Sequence, residues 1–475
     1  MDIEGSSLSP SLMLPIDRGL PLGVRAQLES ALRDAVRTGR LQAGDRLPSS
    51  RELARSLGVS RGVVQDCYEQ MCAEGYLTSR AGSSTKVAAA AHPESIAEAA
   101  PRTSVPARHQ FDFVPHTPDL ESFPRTDWVW ATREVCRTAV TADMGYGDPR
   151  GHGHLRGALS GYLRRVRGAS ATADQVVVVN GFAQGIRCML GVLAKFGVRT
   201  VAFEDPGFGH AGFSETVRSA VTLGLSVVYV PVDGQGVDVA ALDATAAQAV
   251  VVSPAHQSPT GVVMAPQRRH LIVEWARRRG GYVIEDDYDS EFRYDREPVG
   301  VVQGLAPSNV VMIGTASKSL APAVRLGWVV CPPALLDALT GEKLTHDRGS
   351  STLVQLTVAA LLESGRYDRH LRQMRAEYGR RRRTLVRTLA DQAPSIKLTG
   401  LAAGFSAVAH LPDGVGEAEV IAAAAERSVG LHGMSPYRSE RSEEPPQLLM
   451  GFGNIGERGI VEGIGRVAGL MVGHS

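Results

Sequence analysis

From Phe111 onward the chain alternates short, unbroken apolar runs with longer stretches of helical periodicity. The runs are QVVVVN at 175–180, TVAFEDPG at 200–207, AVVVSP at 249–254, YVIEDD at 282–287 and VVMIGT at 310–315. A strand with one wet face alternates apolar and polar side chains, whereas a strand apolar at every position is buried on both faces. Buried strands separated by helices predict a parallel α/β sheet. In such sheets ligands gather at the carboxyl ends of the strands.

The alternation starts only after a different kind of sequence. The chain has 475 residues, enough for two or three structural units, and 43% of them are hydrophobic, enough for a large core. Residues 14–88 form a compact pattern, residues 89–110 are rich in Ala, Pro and Ser and read as a linker, and 111–472 form the α/β domain. The net charge of +1 excludes a global basic field, so nucleic-acid binding requires a local patch. The cysteines, Cys67, Cys72, Cys136, Cys188 and Cys331, are odd in number and lack metal-ligand spacing, which predicts free thiols in a reducing cytoplasm. The start MDIE has no basic region ahead of an apolar run, and no stretch reaches the roughly 18 apolar residues that span a bilayer. A soluble, cytoplasmic protein without a membrane partner is expected.

In the first domain, Val24, Leu28, Ala31, Leu32, Ala35 and Val36 recur at helical spacing. Ser49 and Glu52 make a capping box for a second helix that ends at Gly58. Ser60 caps a third, from Arg61 to about Glu74, with Val64, Tyr68 and Met71 inward. Short helices around a glycine-containing turn predict a helix-turn-helix, and YLTSRAGSSTKV predicts two short strands around a wing tip. Between residues 15 and 90 there are 11 Lys and Arg against 8 Asp and Glu, so placement outweighs number. Arg51 opens the second helix, Arg61 the third, and Arg80 and Lys86 flank the wing. A recognition helix reads bases with its N-terminal residues, which puts Arg61 at a base edge or a phosphate. The segment from LPSSRELA through LGVSR resembles the GntR-type winged helix-turn-helix. That resemblance implies contacts to double-stranded DNA from Arg51, Arg61 and the wing around Gly82. Gly62 stands where members of that family often carry a polar side chain.

In the second domain Lys318 lies in GTASKS, directly after VVMI. A lysine at a strand-to-loop edge among small residues has the reach and the room to form a Schiff base. Asp286, near the end of YVIEDD, is placed to keep a pyridine nitrogen protonated, and Tyr288 to reach a ring oxygen. A cluster of merely structural acids, Glu285, Asp286, Asp287 and Asp289, is the competing reading. Gly181 follows VVVVN and precedes a helical pattern, so amides at that helix start can hold a phosphate. Thr315, Ser317 and Arg325 complete an anion cup, and Phe208 is placed to stack on a ring.

These motifs, with YGDPRGHGHLR at 146–156 and SPAHQSPTG at 253–261, resemble the class I/II aminotransferases of fold type I, and more closely the MocR-like (GabR-type) regulators that join such a domain to a GntR-type head. The resemblance implies pyridoxal 5'-phosphate on Lys318, with Asp286 at the ring nitrogen and Tyr288 at the ring oxygen. It implies phosphate contacts from Arg325 and from the turn Gly181, Phe182, Ala183, and a homodimer in which Tyr146 reaches a partner's phosphate. Two departures bear on function. Ordinary members carry Asn-Pro-x-Gly at the ring oxygen; here HQSPTG puts Ser258 in place of the asparagine and leaves His256 or Gln257 to substitute. Such enzymes also hold a substrate carboxylate with an arginine near the final strand, but QLLMGFG has none, and Arg438 lies some ten residues earlier. The resemblance also implies that His210 faces the substrate side. The expectation is a transcription regulator that senses an amino acid or amine through aldimine exchange at Lys318 and reads repeated half-sites on its operator. Transamination is expected to be weak or partial, the alternative being a functional aminotransferase with an attached DNA-binding head.

Overall fold

The computed structural model describes residues 14–79, 84–89, 109–209, 214–294, 299–439 and 445–472. Contacts divide the chain into two compact units, Met1–Pro106 and Ala107–Ser475.

The smaller unit is built on the helices Val24–Arg37, Ser50–Leu57 and Arg61–Ala73 and a two-stranded antiparallel sheet, Leu77–Thr78 with Lys86–Val87. The apolar stripe of the first helix, Leu28, Leu32, Ala35 and Val36, is buried against Leu53, Val64, Met71, Leu77 and Val87. The capping box forms in both directions: Glu52 N donates to Ser49 Oγ at 3.3 Å, and Ser49 N donates to Glu52 Oε2 at 2.9 Å. Gly58, at φ +64°, ends the second helix in the left-handed conformation that glycine alone takes without cost. Ser60 Oγ accepts from Val63 N at the start of the third helix.

The larger unit holds an eight-stranded sheet. Its order is Val176–Val179, Gly327–Val330, Val310–Thr315, Tyr282–Asp287, Ala249–Val252, Thr200–Asp205, Ser226–Asp233 and Gly236–Val237. All five apolar runs are strands. Val176–Val179, Ala249–Val252 and Val310–Thr315 are buried along their whole length, as helices on both faces require. The sheet is mixed, not purely parallel as expected: Gly327–Val330 runs antiparallel to both of its neighbours. The connection from Val310–Thr315 spans only residues 316–326 and carries Lys318, whereas a parallel return needs about a dozen residues or more, usually a helix. A smaller antiparallel sheet, Lys397–Thr399, Ser406–His410, Gln447–Gly451 and His432–Gly433, follows the long helix Arg366–Gln392. No described helix is long and apolar enough to cross a membrane.

Candidate functional site

The parallel strands end at one edge of the large sheet, and the polar residues singled out above gather there. Lys318 lies just past Val310–Thr315 and is half-buried; its Nζ donates to the carbonyl of His116 at 2.5 Å. Burial pushes the Lys318 amine below its ordinary pKa, opposed by the charges of Asp289 and Asp286. A lysine eased toward its neutral form is a better nucleophile.

The four crowded acids separate into two kinds. Glu285 accepts from the backbone amides of Val302 and Gln303, both at 2.9 Å. Asp287 takes both oxygens to the fully buried Arg167 guanidinium, at 2.7 and 3.0 Å. Asp289 faces His256 Nδ1 at 2.9 Å. Asp286 differs: its Oδ1 is buried and has no hydrogen-bond partner among the described residues. Burial, with the charges of Asp287 and Asp289, pushes its carboxyl well above the usual aspartate range, against the pull of Lys318. An unsatisfied carboxyl oxygen in the interior costs about 1–3 kcal/mol. A cationic donor from a bound ligand would offset that cost.

Tyr288, buried two residues further on, places its hydroxyl 3.1 Å from His256 Nδ1, and the Ser258 side chain also hydrogen-bonds to it. The stretch HQSPTG thus sends two side chains, from His256 and Ser258, to the phenol. Gln257 turns the other way: its Nε2 donates to the carbonyls of Pro206 and Ser258, both at 2.8 Å, and to Glu204 Oε2 at 3.3 Å. Glu204 is itself buried, with its carboxyl pushed up to about 8 by burial.

A cradle stands beside these groups. Gly181, at φ +92°, caps the helix Phe182–Lys195, and no side chain closes that helix start. A Cβ at position 181 would point into a space bounded by Arg325 Nη1 at 3.8 Å and Thr315 Oγ1 at 4.0 Å. Thr315 Oγ1 donates to Ser317 Oγ at 2.9 Å, and Ser317 N donates back to it at 3.1 Å. Arg325 is exposed and holds a left-handed φ of +50° at the reversal before Gly327. Free amides at a helix start, two hydroxyls and a guanidinium together suit a phosphate. Phe208 stacks on Phe182, with ring centroids 5.7 Å apart and planes at 5°.

Tyr146 has a different setting. It is 79% exposed, and the guanidinium of Arg348 lies 6.0 Å from its ring. Arg438 Nη2 donates to Gln447 Oε1 at 3.2 Å, at the start of the final strand. In the smaller unit Arg51, Arg61 and Gly62 are exposed at the starts of their helices. Arg80, Gly82 and His210 lie outside the described residues. Sequence reasoning did not find His116 or the role of Asp289. Their contacts to Lys318 and His256 span 202 and 33 positions, and only an outlying histidine between two prolines, PHTP, marked the first.

Residues 117–433 match the family described as aminotransferase class I and II, and residues 24–87 match the bacterial regulatory proteins of the gntR family. The chain is 32% identical over 479 residues to the Rhizobium meliloti protein described as "Probable rhizopine catabolism regulatory protein MocR", covering 95% of this chain and 94% of that one. It is 31% identical over 394 residues to the HTH-type pyridoxine biosynthesis transcriptional regulator PdxR of Corynebacterium glutamicum, covering 82% of this chain and 83% of that protein. Among solved structures, an archaeal alanine:glyoxylate aminotransferase matches with a TM-score of 0.69 at 21% identity, over 76% of this chain and 90% of that one. A likeness of that degree establishes the fold.

Proposed function

We propose, on the premise that this chain belongs to the class I and II aminotransferase family and joins it to a gntR-family head as the MocR-type regulators do, that the large unit carries pyridoxal 5'-phosphate on Lys318 and senses an amine or amino acid there. The chain is a DNA-binding transcription regulator with an aminotransferase fold. The observation that carries the sensing reading is the convergence, at one sheet edge, of Lys318, the unpartnered Asp286 Oδ1 and the cradle at Gly181.

The residues present suit the group. Lys318 would hold its aldehyde carbon, Asp286 its ring nitrogen and Tyr288 its ring oxygen. His256, held by Asp289, would support that phenol. Arg325, Thr315, Ser317 and the amides of Phe182 and Ala183 after Gly181 would hold its phosphate, and Phe208 would lie against its ring. When bound, pyridoxal phosphate supplies a carbon that condenses reversibly with amines and a ring that draws electrons from it. Asp286 would keep a proton on the ring nitrogen, since an ion pair there would satisfy a buried carboxyl oxygen that has no partner among the described residues. Lys318 Nζ would take up the proton that an incoming amine must lose to replace it. Arg61 and Arg51 would set the head on DNA. An amine changes DNA affinity only to the extent that it binds two conformations of the protein differently.

Turnover is secondary in this reading. Complete transamination needs the substrate's carboxylate fixed so that its α-hydrogen faces a base, and the strand Gln447–Gly451 offers no arginine. The protein acts as a homodimer in the cytoplasm, with Tyr146 reaching the partner's phosphate site. The test is a visible spectrum of the purified protein with pyridoxal phosphate, before and after a panel of amines and after borohydride. A reducible adduct that forms in the parent and not in Lys318→Ala supports the assignment. Adduct formation by Lys318→Ala refutes it.

A further inference from the structure

One group beside Lys318 has no assigned work in the reading above. His116 lies between the strand Phe111–Asp112 and the helix Arg125–Thr138. Its φ is +56°, a left-handed conformation that residues other than glycine seldom take. Such outliers persist where the surroundings hold them, and they concentrate at ligand sites. Here the backbone is held from both sides: its N–H donates to Ser406 Oγ at 3.0 Å, and its carbonyl accepts from Lys318 Nζ at 2.5 Å. That geometry fixes where the ring goes. Its edge contacts are with Tyr288 and Tyr437, at centroid distances of 5.9 and 6.2 Å.

The ring's Nε2 is buried and has no hydrogen-bond partner among the described residues. Burial, then the charges of Lys318 and His256, push the imidazole's pKa down to about 3, so the ring is uncharged near neutrality. A buried polar atom without a partner lowers stability, and a left-handed backbone at a non-glycine residue lowers it further. Two unfavourable features at one residue, adjacent to the reactive amine, are what a site held ready for a ligand looks like.

We propose that His116 is the specificity-determining residue of the effector pocket, its Nε2 hydrogen-bonding an uncharged polar group, above all a hydroxyl, on the side chain of the incoming amine. This rests on the reading that Lys318 meets an amine in the pocket. The charges nearby select against other side chains. A second carboxylate would meet the charge of Asp289, and the uncharged ring has nothing to pair with it. A cationic side chain would put a second charge beside Lys318. A hydroxyl both donates and accepts, so it satisfies Nε2 in either tautomer.

The test uses the full-length protein loaded with pyridoxal phosphate and titrated with serine against alanine, and with threonine against 2-aminobutyrate, followed by the visible spectrum. The parent is expected to bind the hydroxyl member of each pair about tenfold more tightly or better, the factor that follows from satisfying one buried polar atom. His116→Phe keeps a ring and removes the nitrogen. It is expected to retain the cofactor spectrum, to bring the ratio close to one, and to leave the thermal midpoint of the cofactor-free protein no lower than the parent's. His116→Asn tolerates the left-handed backbone, keeps a polar end and should preserve part of the preference. A His116→Phe midpoint several degrees below the parent's would make the ring nitrogen structural and overturn the proposal, as would a ratio unchanged in both variants. Equal affinities within each pair in the parent, with a spectrum that moves, overturn this inference alone. A parent spectrum that no amine moves overturns the sensing reading and this inference with it.

Discussion

The hydroxyl of Tyr288 and Nδ1 of His256 lie 3.1 Å apart, and the same nitrogen faces the Asp289 carboxylate at 2.9 Å. The other ring nitrogen, Nε2, lies 3.4 Å from the carbonyl of Gly400. Both nitrogens therefore face acceptors, the arrangement of a doubly protonated ring. Burial works against that charge, but the Asp289 charge and hydrogen bond, with the Gly400 carbonyl, lift the His256 pKa above its ordinary 6.5. A folded-state pKa above the unfolded one contributes stability that is complete below pH 6.5 and lost as pH rises through the folded value. In the cofactor-free protein the advantage of the parent over His256→Gln should be largest below pH 6.5 and shrink above it. Thermal melts across that range check this, and an advantage that shrinks as pH falls below 6.5 would mean that His256 is neutral in the fold.

Asp286→Asn should act in opposite directions on stability and on cofactor binding. The Asp286 carboxyl is held well above its ordinary 3.8, chiefly by burial. Its stabilising contribution is complete below that ordinary value and is lost as pH rises through the elevated one. Without cofactor, the amide should therefore stabilise the large unit relative to the parent as pH rises through the elevated value, because it never takes on the charge that burial penalises. With cofactor, the amide cannot pair with a protonated ring nitrogen, so affinity should fall and the visible band should move. Paired melts and cofactor titrations read both signs. A loss of cofactor-free stability would make Asp286 a structural acid like its neighbours.

Five of the large sheet's eight strands were legible because an unbroken apolar run marks each, a pattern that burial on both faces imposes. The reversed strand Gly327–Val330 was not, because its direction is set by the length of the loop carrying Lys318 and not by its own composition. The site was legible where motif residues sit near one another along the chain, as Thr315, Ser317, Lys318 and Arg325 do. It was illegible where function depends on pairing across the fold. Nothing local distinguishes Asp289 from Asp287, yet one meets a histidine and the other a buried arginine. Nor does the sequence say that His116 has a left-handed backbone.

Arg61, exposed at the start of the third helix of the head, should carry base recognition. If it makes a bidentate contact, Arg61→Ala costs about 1–3 kcal/mol and relaxes preference at one base position. Fluorescence anisotropy on selected and scrambled duplexes measures both. Equal binding to the two duplexes by parent and variant alike would misplace the recognition helix.

Tyr146, at 79% exposure in the single chain, should become covered in a homodimer. Light scattering on the cofactor-loaded protein should give twice the chain mass of 50.6 kDa. Tyr146→Ala should weaken cofactor retention without unfolding either unit. A monomer that holds the cofactor normally would exclude a shared site.

Central to all of this is that an amine meeting Lys318 alters DNA binding. The direct measurement is the affinity of the full-length, cofactor-loaded protein for a duplex it selects from a random pool, at fixed salt, with and without an amine that moves its spectrum. The same measurement is made on Lys318→Ala. The predicted result is that the amine changes the parent's affinity and leaves that of Lys318→Ala unaltered. An affinity indifferent to the amine in the parent, or an equal response in Lys318→Ala, would contradict it.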